Sequence, residues 1–206
     1  DYRTRHSQYK RDDSDLQAVH RQHPFITIWD DHESTDNSWR DSANNHTEGA
    51  EGIWVERKAF AQRAYDEWMP IRYPEPGNVT RIWREFSFGN LMQLVMLDTR
   101  LFDRDEQLAT PLLPPDDPTD PARKLIGPAQ MEFLLGSLST TTATWKFIGQ
   151  QVMFGQLKVA GLPDLGELPA LGDSLNLIPI AGQGGVYLNS DQWDGYQAER
   201  NQIFSH

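Results

Sequence analysis

Apolar positions along the 206-residue chain come in short runs whose period changes several times. Residues 14–22, SDLQAVHRQ, put Leu16 and Val19 on one face behind a Ser able to cap, with Pro24 just beyond, and predict a short helix. FITIW at 25–29 is β-rich and predicts a strand, followed by Ser, Asn, Asp, Thr and Gly loop chemistry over 34–49. From about 50 to 68 the positions Ile53, Phe60, Ala64 and Trp68 share a helical face that Pro70 terminates. Residues 80–100 alternate on either side of Gly89-Asn90, which predicts two antiparallel strands joined by a tight turn, the second apolar enough to be central. Residues 103–124 carry five prolines and read as loop. Gly127-Pro128 opens a helix with a Met131, Leu134, Leu135 and Leu138 stripe, and 144–154 reads as a further strand. Residues 155–190 have no clear period, and a last helix is expected from a Ser190 cap through Trp193, Tyr196 and Phe204. Strands alternating with helices, interrupted by a hairpin, predict an α/β fold: a mixed β-sheet sandwich flanked by helices.

Composition narrows what this fold can do. Hydrophobic residues at 38% and aromatics at 11%, seven of them Trp, are a globular composition for a length typical of one domain. Nineteen Lys and Arg against thirty Asp and Glu give a net charge of −11, which repels nucleic acid and anionic membranes. That balance suits a collector of divalent cations, and solubility alone explains it as well. With no cysteine, any metal must be held by oxygen and nitrogen. No run reaches the roughly 18 apolar residues of a membrane span.

The apolar run at 25–29 ends in Asp30, Asp31, His32 and Glu33, with Asp36 and Asn37 close behind. Carboxylates are hard ligands for calcium, magnesium, manganese or iron, and a neighbouring histidine can ligate or move a proton. The end of a strand is where a sheet presents such a loop rigidly. An acidic turn that only caps or meets solvent is the competing reading of the same residues.

YRTRHSQY at 2–9, WDDHESTDN at 29–37, AYDEWMPIR at 64–72, LVMLDTR at 94–100, WKFIGQQV at 145–152 and DQWDGYQAER at 191–200 occur in this order along the chain. Together they resemble the PhoD-type alkaline phosphatases of the calcineurin-like metallophosphoesterase superfamily. The resemblance implies hydrolysis of phosphate monoesters and diesters by a metal-bound hydroxide, with iron and calcium as metals, in a secreted or periplasmic enzyme linked to phosphate scavenging. It places Asp31 as a metal ligand and His32 near the leaving group. Asp30, Glu33, Asp36 and Asn37 fall to supporting or substrate-orienting roles. Arg3, Arg5 and Arg100 are read either as phosphate contacts or as structural ion pairs. Family segments expected before residue 1 and after the last helix carry further ligands. Residues 1–206 therefore read as the central part of the catalytic domain, with little activity of its own. The rival reading is a catalytically incompetent, metal-stabilised binding module presenting Trp54, Trp68 and Trp83 as an exposed platform.

Overall fold

The structure is a computed structural model and describes residues 2–108, 117–159, 186–187 and 189–206. Its centre is a three-stranded sheet in the order β1-β2-β3: Arg84–Phe88, Met92–Met96 and Trp145–Gly149. β1 and β2 pair antiparallel, and β2 and β3 pair parallel, so the mixed sheet expected from the sequence is present with β2 in the middle. The hairpin turn holds three residues, because Phe88 is paired with Met92 and Gly89 takes a left-handed φ of 57° that a side chain disfavours. A parallel pair needs a crossover, and α4 (Gly127–Thr140) supplies it. Residues 158–159 and 186–187 form a separate antiparallel ribbon, β4 and β5. Most of the irregular 155–190 stretch lies outside the described residues.

Two apolar cores flank this sheet. One gathers Val95 and Leu97 from β2 and its end, Leu125, Ile126, Met131 and Leu134 from α4 and its approach, and Val152, Trp193 and Tyr196. The other joins Trp29, Ala43, Ile82 and Leu101 to Trp54 and Tyr65 of α3 (Trp54–Trp68). α4 has no capping side chain of its own, and Glu199 substitutes for one across the fold. Its carboxylate accepts from the backbone N–H groups of Leu125, Ile126 and Gly127 at 2.8, 2.9 and 3.0 Å. Burial raises the Glu199 carboxyl pKa despite these bonds.

Several sequence expectations change here. FITIW joins no ladder among the described residues. Its carbonyls are taken by side chains instead, Thr27 by Arg84 Nη2 and Trp29 by Gln151 Nε2, both at 2.7 Å. α3 forms as expected, but it buries Trp54, Ala61, Gln62, Ala64 and Tyr65 while Ile53 and Phe60 stay exposed. Trp54 and Trp83 are buried and Trp68 is half-buried, which removes the exposed tryptophan platform. α2 (Ser14–Gln22) is capped by Asp13, whose carboxylate accepts from the N–H groups of Asp15 and Leu16, and not by Ser14. The last helix, α5, begins at Gln197 after a 3-10 turn over Trp193–Gly195, because Ser190 Oγ donates to Leu108 O and Asp191 is held in an ion pair. An unanticipated helix, α1 (Tyr2–Asp12), packs against α3 with no buried residue.

Candidate functional site

The acidic segment folds as a tight loop in which Asp31 is the organising residue. Its carbonyl accepts from the N–H groups of Ser34 and Thr35 at 2.8 Å. Its buried carboxylate takes the N–H of His32 on Oδ1 at 3.0 Å and the N–H of Asn37 on Oδ2 at 2.8 Å. Asn37 reaches that position through a left-handed backbone, φ 46°, which Asn tolerates better than most residues. Glu33 folds back so that Oε2 accepts from Asp30 N at 2.7 Å. Each carboxylate oxygen has two lone pairs, so both oxygens of Asp31 keep acceptor capacity after their backbone bonds.

His32 is held over this carboxylate with its side chain 76% exposed, its Nε2 lying 3.5 Å from Asp36 Oδ1 and 3.9 Å from Asp31 Oδ2. One ligand atom from each of Asp31, His32 and Asp36 falls within 4.8 Å of the others. Ligands on opposite sides of a calcium ion, at about 2.3–2.6 Å each, stand about 4.6–5.2 Å apart. Two carboxylates over that span therefore fit a hard cation and supply two of the about six to eight ligands that calcium takes, and the imidazole beside them can either ligate or carry a proton.

The loop is fixed by groups distant in sequence. Arg100 Nε donates to Asp30 Oδ1 at 2.7 Å, while its two terminal nitrogens grip Asp191 at 2.8 and 3.0 Å. Arg104, fully buried, adds a 2.5 Å bond to the same carboxylate. Burial alone would raise the Asp191 pKa, yet Arg104 and Arg100 hold it below the usual carboxylate value. Gln151 clamps Trp29 O, and Tyr2 OH donates to Ser34 O at 2.8 Å. α1 and the loop line a half-open cavity of about 680 Å³, with Tyr2, Arg5, His6, Tyr9, His32 and Glu33 among its walls. Burial lowers the pKa of His6, which favours its neutral form.

The PhoD-like phosphatase family model matches residues 1–206. The chain belongs to this family. It is similar to alkaline phosphatase D of Bacillus subtilis (strain 168), 33% identical over 210 residues, covering 100% of this chain and 32% of that protein. It also resembles a solved structure described as the structure of PhoD, with a TM-score of 0.78 and 31% identity over 99% of this chain and 35% of the other. The chain thus spans about a third of the length of these relatives.

Within this PhoD-like fold the predicted residues separate. Asp31, His32 and Asp36 come together as one donor set, and Asp30, Glu33 and Asn37 brace the loop through side chain or backbone. Arg5 lines the cavity beside His32. Arg3 turns away into an ion pair with Glu67, pulling that carboxyl down to about 2, with Arg63 assisting. Arg100 is a buried strut and not an open phosphate contact. Tyr2, Gln151, Arg104 and Asp191 were not anticipated as parts of the site. LDTR marks Arg100, but nothing local marks its partner 91 residues further on.

Proposed function

We propose that this chain carries part of the active site of a metal-dependent phosphoesterase. It would cleave phosphate monoesters, diesters or both, with iron and calcium as its metals, and serve phosphate scavenging outside the cytoplasm. One observation carries the reading: Asp31, His32 and Asp36 converge beside a cavity that His32 lines, in a chain one-third identical to an alkaline phosphatase. Spanning about a third of its relatives' length is consistent with residues 1–206 being a part of a longer catalytic domain.

When bound, the metal lowers the pKa of water and neutralises phosphoryl oxygens. Asp31 holds it with lone pairs left over from its backbone bonds, which fix the carboxylate before the ion arrives. Asp36 completes the carboxylate pair. His32, which lines the cavity and is exposed there, donates a ring N–H proton to the departing oxygen, and Asp36, 3.5 Å from Nε2, favours the protonated ring that this requires. Arg5, on the cavity wall, steadies a phosphoryl oxygen.

The test uses the protein containing this chain, assayed on chromogenic phosphate monoesters and diesters with iron and calcium supplied. Asp31→Asn is expected to lower both metal affinity and hydrolysis. His32→Ala is expected to lower kcat while metal affinity stays within about twofold. Loss of metal affinity in His32→Ala would make the histidine a ligand and overturn its role as proton donor. Metal-independent hydrolysis would overturn the whole reading.

A further inference from the structure

The cavity beside His32 has a wall of which the proposed hydrolysis uses Arg5 alone. Tyr2, Arg5, His6 and Tyr9 recur at helical spacing, so they form one face of α1, and all four line the cavity. α1 buries no residue and is held by polar and aromatic contacts, among them Tyr2 OH to Ser34 O, the Arg3–Glu67 pair, Lys10 to His20, Arg11 over Trp68, and the His6 ring edge-on to Tyr65 at 6.0 Å. Tyr2 is committed to the loop and to Arg57, whose Nε donates to its hydroxyl at 3.1 Å. Tyr9 is 63% exposed, and its ring contributes to neither core. At about 680 Å³ the cavity falls in the size range of small-molecule sites and is larger than one phosphoryl group requires.

Resting on the phosphoesterase reading, we infer that this face of α1 receives the organic substituent of the ester, and that Tyr9 gives the site its preference for an aromatic one. The phosphoryl group lies at the Asp31, His32 and Arg5 end, where cation and donors collect. The substituent then extends along α1. Tyr9 presents a ring face there, and the burial-depressed pKa of His6 keeps a second aromatic surface uncharged. Offset or edge-on ring contact with Tyr9 contributes an increment that an alkyl group lacks.

The experiment compares 4-nitrophenyl phosphate with glycerol phosphate in the wild-type protein, Tyr9→Ala and Tyr9→Phe, all supplied with metal. Tyr9→Ala is expected to lower kcat/KM for the aryl ester about tenfold, chiefly through KM, and to leave glycerol phosphate within twofold. Tyr9→Phe should restore the aryl preference. Calorimetry with phenylphosphonate and methylphosphonate gives a readout independent of turnover: the wild type should favour the phenyl compound, and Tyr9→Ala should not. Equal losses on both esters, or equal binding of both phosphonates by the wild type, would overturn the aromatic subsite while leaving the phosphoesterase reading intact. Binding of neither phosphonate would overturn both.

Discussion

Asp31 and Asp191 are both buried aspartates on adjoining parts of the fold, and they use their oxygens in opposite ways. Asp191 is gripped by two guanidiniums that are themselves buried, and their bonds tie one distant segment to another. Asp31 accepts one backbone N–H on each oxygen and turns its remaining capacity toward an exposed histidine and a half-exposed carboxylate. A charge compensated on all sides holds architecture together. One compensated by half, next to the His32 that lines the cavity, keeps acceptor capacity in reserve. Arg100 links the two, since one guanidinium serves both Asp191 and the Asp30 that precedes the loop.

The sharpest way to break this contrast is to strip the compensated side. Arg104→Met leaves the Asp191 carboxylate with less of its countercharge, and denaturant unfolding should show a loss of about 3–5 kcal/mol. A change below about 1 kcal/mol would mean that the cluster is not the strut described. On the other side, Asp31→Asn should weaken metal binding at least about tenfold, by titration calorimetry, at a stability cost of about 1 kcal/mol for the altered bond to Asn37. A large stability loss with unchanged metal affinity would reverse the two roles.

Acid separates them more gently. Asp191 has its folded pKa depressed, so its contribution is fully present above the unfolded value near about 3.9 and is lost as pH falls through the lower folded value. Stability measured from pH 6 down to 2 should fall in that window, and Asp191→Asn, less stable than the wild type above it, should flatten that part of the curve. The smallest effect belongs to Arg3→Ala. Its pair with Glu67 is solvent-exposed and screened, so the melting temperature and kcat should be indistinguishable from wild type.

Elements with an unambiguous period and firm punctuation were legible in the sequence. α4 has Gly-Pro at its start and an unbroken apolar stripe, and the hairpin has Gly89 at its turn. α1 was hidden because its polar sequence has no apolar stripe and owes its place to tertiary contacts. FITIW has the composition of a strand, but composition does not supply a neighbour, and side chains from Arg84 and Gln151 took the carbonyls a neighbour would have used. On α3 the apparent face was rotated, since Tyr65 and Trp54 outweigh Ile53 and Phe60 in filling the space under Trp29. At the site, the density of acids in WDDHESTDN was readable as chemistry. What orients that loop lies far along the chain, Arg100 standing 70 residues from the Asp30 it holds, Gln151 122 from Trp29 and Tyr2 32 from Ser34, and no local pattern encodes it.

β3 pairs only with β2 among the described residues, and it leaves Trp145, Phe147 and Ile148 exposed along a strand whose other edge has no strand partner there. Parallel strands are ordinarily covered on both faces. An apolar strand with an open edge is a template for self-association. Solutions of the 206-residue chain alone should therefore scatter light increasingly with concentration and bind dyes that report apolar surface, and a Phe147→Lys substitution should make the chain easier to keep dispersed.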